Sequence, residues 1–268
     1  MCGVSIPRPA NQRTPTNVGL DSLTTYFTGA HGLKIEAWQI PVSKSKGTVI
    51  LFHGYCGRKD SLLEAAKEFH SLGYDTLLVD FYGSGGSAGS DTSIGYYEAD
   101  DVVAAFHYVK AEQTNQPVIL YGVSMGAAAI LRAVGELGIK PNALILECPF
   151  DRLLTTVQNR FAAMDLPTFP AAQLLVFWGG LLEGFNGFNF NPADYAKNVK
   201  CPVLLMNGGE DPRVTTREAE NVAKNLNAES EFKVFPDLSH QSYVVGQNAA
   251  WRSYVSAFLD KVGRLKAK

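Results

Sequence analysis

Short apolar runs separated by glycine-rich or polar stretches recur along this chain, and most are followed by a longer stretch with helical period. Residues 47–52, 75–81, 117–121, 143–146, 203–206 and 232–235 are such runs. Largely apolar segments of this length, 47–52 continuous and 75–81 and 232–235 carrying Asp75, Asp80 and Lys233, suit strands covered on both faces, as in a parallel sheet. Residues 94–112 carry Tyr97, Val102, Ala105, Phe106 and Val109 at helical spacing, which predicts a helix packed on that sheet. Helices are also predicted over 127–134, 216–226 and 249–262, and one begins near Asp60 or Ser61, where Ser61 and Glu64 have the spacing of a capping box. Segments 23–27 and 33–40 instead alternate apolar and polar residues around a turn at 29–32, the pattern of an antiparallel hairpin at a sheet edge.

The alternation predicts an α/β protein with a largely parallel central sheet, helices on both faces, and one domain over residues 21–268. Residues 1–20 read as an irregular arm, with Pro7, Pro9 and Pro15 opposing a helix. Over 151–193 the alternation stops. An aromatic-rich insertion takes its place, expected as a lid over the carboxyl ends of the strands, where ligands bind in open α/β sheets.

Composition narrows the partners. With 46% hydrophobic residues and a formal net charge of -2 over 268 residues, the chain has material for a large core and no charge that favours nucleic acid. A small molecule is the expected partner. Cys2, Cys56, Cys148 and Cys201 lack metal-ligand spacing, and Cys148 and Cys201 read as buried thiols at strand ends. Met1-Cys2-Gly3 is compatible with a lipidated bacterial start, yet no apolar leader region accompanies it. Cytoplasm and cell envelope both stay open, with membrane contact expected only if Cys2 is lipidated. The longest uncharged run, 166–182, is broken by Pro167, Pro170 and Gly179-Gly180 and is short for a membrane span.

Candidate chemistry centres on Gly122-Val-Ser-Met-Gly126, between a predicted strand and a predicted helix. A G-x-S-x-G at such a junction is a nucleophile elbow: a sharp, strained turn that exposes the serine hydroxyl. Ser124 is the candidate nucleophile, and the plain alternative is an ordinary Gly/Ser turn. His53-Gly54-Tyr55-Cys56-Gly57 follows another strand, where glycines let backbone N–H groups approach a developing oxyanion. His53 itself reads as a structural residue that shapes this loop. The glycine-dense segment 82–90 lacks the Gly-Lys-Ser/Thr ending of a phosphate loop and reads as a loop bordering the site. His31, His70 and His107 read as turn or surface residues. Downstream strand ends carry Asp211, in Asn207-Gly-Gly-Glu-Asp-Pro, and His240, in Leu238-Ser-His-Gln-Ser. Glu147 and Asp237 compete with Asp211 for the acid role, and helix capping is its plain alternative.

With these residues in this order, the chain resembles the α/β-hydrolase superfamily, in the branch of small bacterial esterases, monoacylglycerol-lipase-like enzymes and serine-aminopeptidase-like proteins, over roughly residues 30–262. The resemblance implies Ser124 as nucleophile, His240 as general base and then acid, and Asp211 as the carboxylate orienting His240. It implies an oxyanion hole from the backbone N–H groups of Met125 and Tyr55, although His-Gly-Tyr departs from the His-Gly-Gly-Gly of some lipases. No metal or organic cofactor is expected. The uncharged lid favours a carboxylic ester or thioester with an apolar acyl or aryl group, with Phe177, Trp178 and Leu181 as candidate substrate-binding residues. The same aromatics equally read as packing the lid onto the core. Acyl transfer to an alcohol or amine, aminopeptidase action using Asp165 and Glu183, and a non-catalytic binding role are the alternatives.

Overall fold

The computed structural model describes residues 9–113, 116–227 and 229–266. Strands β1 (Leu23–Thr28) and β2 (Lys34–Ile40) form the antiparallel hairpin at one edge of the sheet. There follow β3 (Thr48–Phe52), α1 (Leu63–Ser71), β4 (Asp75–Val79), α2 (Glu98–Glu112), β5 (Val118–Val123), α3 (Met125–Gly135) and β6 (Ala143–Glu147). The insertion over 151–193 carries α4 (Leu153–Ala162) and α5 (Ala171–Glu183), and the short α6 (Pro192–Ala196) starts at its end. The chain closes with β7 (Val203–Gly208), α7 (Thr216–Ala223), β8 (Glu231–Phe235), α8 (Tyr243–Gly246) and α9 (Asn248–Lys266). Among the described residues one sheet of eight strands runs in the order β1-β2-β4-β3-β5-β6-β7-β8, and it is parallel from β4 onward.

Strands β3 to β7 are buried on both faces because each supplies two cores, whereas β8 at the sheet edge is mostly half-buried. Val49 and Leu51 of β3 pack on one side with Phe69 of α1 and Trp251 and Val255 of α9. Ile50 and Phe52 point the other way, toward Val102 and Phe106 of α2 and Ile130 of α3. The period of two along each strand decides which helix layer a side chain meets.

Two predicted helix starts are corrected. Helix α1 begins at Leu63, after a 3₁₀ turn over Lys59–Leu62, and Ser61 does not cap it; its hydroxyl donates to the Arg58 carbonyl. Asp60 instead accepts from the backbone N–H groups of Gln12 and Arg13 and from Arg58 Nε. Helix α2 begins at Glu98, not at 94, because the Glu98 carboxylate gathers Thr92 Oγ1, the Ser93 N–H and hydroxyl and the Gly95 N–H into an irregular turn. Ile94 there has φ 58°, a left-handed conformation incompatible with a helix.

Over its described part the arm is tied to the domain. The Pro9 carbonyl accepts from the Gly85 N–H, Asn11 Nδ2 donates to Asp80, and Pro15 opens a 3₁₀ turn. Cys2 lies outside the described residues. No described helix is long and apolar enough to cross a membrane.

The elbow depends on close packing. A Cβ on Gly126 would stand 2.6 Å from the Phe52 carbonyl oxygen and 2.8 Å from that of His53, backbone atoms of β3 and its loop that cannot swing aside. Gly126→Ala is therefore expected to destabilise the fold by about 2 kcal/mol or more in urea unfolding. An unchanged midpoint would mean that β3 yields at this contact.

Candidate active site

Ser124 joins β5 to α3 with φ 52° and ψ -112°, a strained conformation for a residue with a side chain. Its own N–H donates to the Glu147 carbonyl at 2.8 Å, which fastens the turn to β6. Met125 is the first residue of α3, so its N–H has no partner one helical turn back and lies at the positive end of the helix dipole.

Asp211 sits on the loop after β7. Its Oδ1 accepts from the N–H groups of Arg213 (2.8 Å) and Val214 (2.9 Å), which holds the carboxylate still while Oδ2 lies 2.7 Å from His240 Nδ1. With Nδ1–H donated to the carboxylate, Nε2 is the basic nitrogen left over. Ser124 and His240 line the same cavity, of ≈ 240 Å³. Asp211 is buried, and Ser124 is 8% exposed.

Tyr55 also lines this cavity, on the loop after β3. Two buried groups anchor that loop to the end of β4. The Phe81 N–H donates to His53 Nε2 at 3.2 Å, so the proton sits on Nδ1, which donates to the Gly54 carbonyl at 2.8 Å. Burial lowers the His53 pKa, which keeps the ring neutral and structural. On the other side, Lys59 is fully buried, paired with Asp80 and with Glu36, and its backbone N–H donates to Asp80. Burial acts to raise the Asp80 pKa, but Lys59 beside it prevails and the net shift is downward. Sequence reasoning missed this network, since a lysine before a helix reads as solvent-facing.

The profile of the family described as serine aminopeptidase S33 matches residues 43–176, half of the chain and the half that holds the elbow and the His53 loop. The chain belongs to this family of the α/β-hydrolase superfamily. A second profile, of the dienelactone hydrolase family, matches residues 161–258, which include Asp211 and His240. The hydrolase is 24% identical over 236 residues to the YqkD protein of Bacillus subtilis, covering 87% of this chain and 77% of that one. It is 28% identical over 220 residues to the lysophosphatidylserine lipase ABHD12 of Mus musculus. That match takes in 79% of this chain but 54% of the lipase, so this chain spans about half the length of that relative. Among solved structures, the Pyrococcus furiosus esterase Pf2001 superposes with a TM-score of 0.81 at 24% identity, covering 96% of this chain and 97% of that one. This is a likeness of fold.

Two further groups of the hydrolase line the cavity that holds Ser124 and His240. Glu147, at the end of β6, accepts from Tyr121 Oη (2.7 Å) and Trp251 Nε1 (2.6 Å), so its described side-chain bonds turn toward the α9 layer and not toward His240. Burial pushes its pKa up to about 7. In the unfolded chain a glutamate ionises near 4.5, so between these values the native state holds a proton that the unfolded state has released. Stability should therefore fall as pH rises through this window, by roughly 3 kcal/mol from this group. Urea midpoints at about pH 5 and about pH 8 test this: Glu147→Gln should flatten the decline, and an equal decline in both proteins would assign it elsewhere.

Cys148 is the other group. Its Sγ lies within 4.8 Å of the Asp211 and His240 ligand atoms. Burial, and then the carboxylates of Asp211 and Glu147, drive its pKa well upward. A thiol held protonated is a poor metal ligand, and the hydrogen bond between Asp211 and His240 already accounts for the closeness of those two.

A second cavity of the hydrolase, ≈ 220 Å³, is bordered by α4 and α5 and lined by Leu153, Val157, Phe161, Leu175, Val176 and Phe185 among others. Phe177, Trp178 and Leu181 are not part of it. They stand 50%, 54% and 59% exposed on the outer face of α5, and neither cavity includes them. The inward reading of the lid aromatics fails for these residues too. The reason lies in helix phase: Ala172, Val176 and Gly180, four apart, form the buried stripe. Gly180 is small because a Cβ would stand 2.5 Å from the Phe185 carbonyl oxygen. Of the lid acids, Glu183 lines this cavity, and Asp165 lies on an exposed turn.

Tyr55 and Arg160 line both cavities. Arg160 and Arg213, neither singled out by any sequence motif, line the one that holds Ser124 and His240.

Proposed function

We propose that this chain is a serine hydrolase of carboxylic esters or thioesters, acting through an acyl-enzyme on Ser124. The observation that carries this reading is the 2.7 Å contact between Asp211 and His240 Nδ1, which leaves Nε2 as the base in the cavity that Ser124 lines. In this mechanism Nε2 takes the Ser124 proton as the hydroxyl oxygen attacks the acyl carbon. The carbonyl π electrons move onto oxygen, and the N–H groups of Met125 and Tyr55 receive that oxyanion. Collapse of the tetrahedral species expels the alcohol or thiol, which takes the proton from His240. Water, deprotonated by the same nitrogen, then releases the acid and restores Ser124. Asp211 stabilises the imidazolium that forms in each half.

Substrate class is supported from two directions. The lid cavity offers an apolar surface next to Tyr55 and Arg160, suited to an acyl or aryl group. Of the three proteins named above, one is a lipase and one an esterase. The aminopeptidase activity named by the family meets an opposing charge, since Arg160 and Arg213 line the catalytic cavity and repel the ammonium such a substrate brings.

Hydrolysis of p-nitrophenyl esters across acyl lengths, together with labelling by a fluorophosphonate, tests the reading. Ester turnover with label on Ser124 is expected. An intact, folded protein that neither turns over any ester nor takes the label would overturn it.

A further inference from the structure

Two arginines line the cavity that holds Ser124 and His240. Arg160, in the last turn of α4, is half-buried with its guanidinium 4.7 Å from the Tyr55 ring centroid. Arg213 lies two residues past Asp211. Its carbonyl accepts from Asn159 Nδ2 at 3.1 Å, and Asn159 also donates to Glu218 at 2.7 Å. The residue next to Arg160 thus ties down the loop that carries Arg213, and the two arginines share one scaffold. Both line the ≈ 240 Å³ cavity with Ser124 and His240, and both recur in the crevice beside it that includes Met125.

Among the described residues neither guanidinium has an ion-pair partner, as is also true of Arg152, Arg217 and Arg264, whereas Arg13, Arg58, Arg132 and Arg252 each have one; what sets Arg160 and Arg213 apart is that both line the cavity with Ser124. The neighbouring carboxylates are otherwise engaged. Asp211 serves His240 and two backbone N–H groups, Glu218 takes Thr215 and Asn159, and Glu147 faces Tyr121 and Trp251. Burial, with Arg213 also acting in that direction, lowers the Arg160 pKa. Arg160, half-buried, and Arg213, exposed, thus place two guanidinium groups without an ion pair on the cavity that Ser124 lines, in a chain whose net charge is -2. An anion between them would relieve their repulsion, and the guanidinium fork matches both carboxylate and phosphate oxygens.

We propose that Arg160 and Arg213 form an anion subsite, so that the preferred substrates are esters whose polar end carries a carboxylate or phosphate group while the acyl chain enters the lid cavity. The subsite rests on the ester-hydrolase reading for its use, but it can be tested by binding alone.

The hydrolysis arm compares one acyl chain on glycerol, on glycerol 3-phosphate and on glycerate. The anionic esters should exceed the neutral one in kcat/KM by about tenfold or more, the size expected of a charge-assisted contact. Phosphate and carboxylate arms show which anion fits better. In Arg213→Gln and in Arg160→Gln the ratio of anionic to neutral rates should fall, and in the double variant it should approach one. Arg160→Lys should retain part of the ratio, which separates charge from packing against Tyr55. The binding arm measures, by calorimetry, the non-hydrolysable ethers 1-O-alkylglycerol and 1-O-alkylglycerol 3-phosphate. Tighter binding of the phosphate ether, lost in Arg213→Gln, supports the subsite even if no ester is turned over, in which case only the ester-hydrolase reading fails. Equal binding of the two ethers, or an anionic-to-neutral ratio unaltered in the double variant, overturns the proposal.

Discussion

Ser124→Ala is expected to lower kcat on any ester substrate by at least about 10⁴-fold and to abolish fluorophosphonate labelling. The change removes one oxygen and leaves the Asp211–His240 pair without a proton to accept. Little else should move, because the turn is held by the bond from the residue 124 N–H to Glu147 and by the packing of Gly126 on β3. Thermal unfolding should confirm an intact fold. Residual turnover would reflect polarisation of the ester by the backbone donors alone. If activity survives at wild-type level, the nucleophile has been misnamed. Cys148 is then the next group in the same cavity, and sensitivity to a thiol reagent would identify it, against the burial that keeps that thiol protonated.

The second large effect belongs to the acid. Asp211→Asn should reduce kcat by about 10⁴-fold with the fold preserved. The two N–H groups of Arg213 and Val214 would hold the amide oxygen where Oδ1 now lies, which turns the amide nitrogen toward His240 Nδ1. A donor there needs Nδ1 to accept, so the ring proton moves to Nε2, the position that must be free to take the Ser124 proton. Glu147→Gln should cost less than about tenfold, because that carboxyl is bonded to Tyr121 and Trp251 and does not orient the imidazole. The reverse outcome, a large loss at Glu147 and a small one at Asp211, would reassign the acid to the end of β6. Steady-state kinetics on one ester with both variants decides between them.

Some of this was legible without coordinates because it is written in local spacing. A nucleophile elbow needs glycines two residues either side of a serine at the point where an apolar strand becomes a helix, and all of that lies between residues 117 and 134. Strand and helix periods likewise concern neighbours in the chain, so the α/β alternation, the edge hairpin and the interruption over 151–193 could be read directly. Helix starts were harder. Ser61 and Glu64 have capping spacing, but Asp60 is drawn to the arm at Gln12 and Arg13 and the first turn becomes 3₁₀.

What the sequence by itself determined was the architecture and the short menu of chemistry-bearing residues: a serine, a histidine and several competing acids. Only the tertiary structure decided which acid meets the imidazole, since Asp211 and His240 are 29 positions apart and Glu147 is turned away by an indole 104 positions distant. It also decided that Phe177, Trp178 and Leu181 face outward, that Lys59 is buried between two carboxylates, and that Arg160 and Arg213 share a wall with Ser124. Composition could say none of this, because the rotational phase of a helix and the neutralisation of a charge depend on what another part of the chain brings against it.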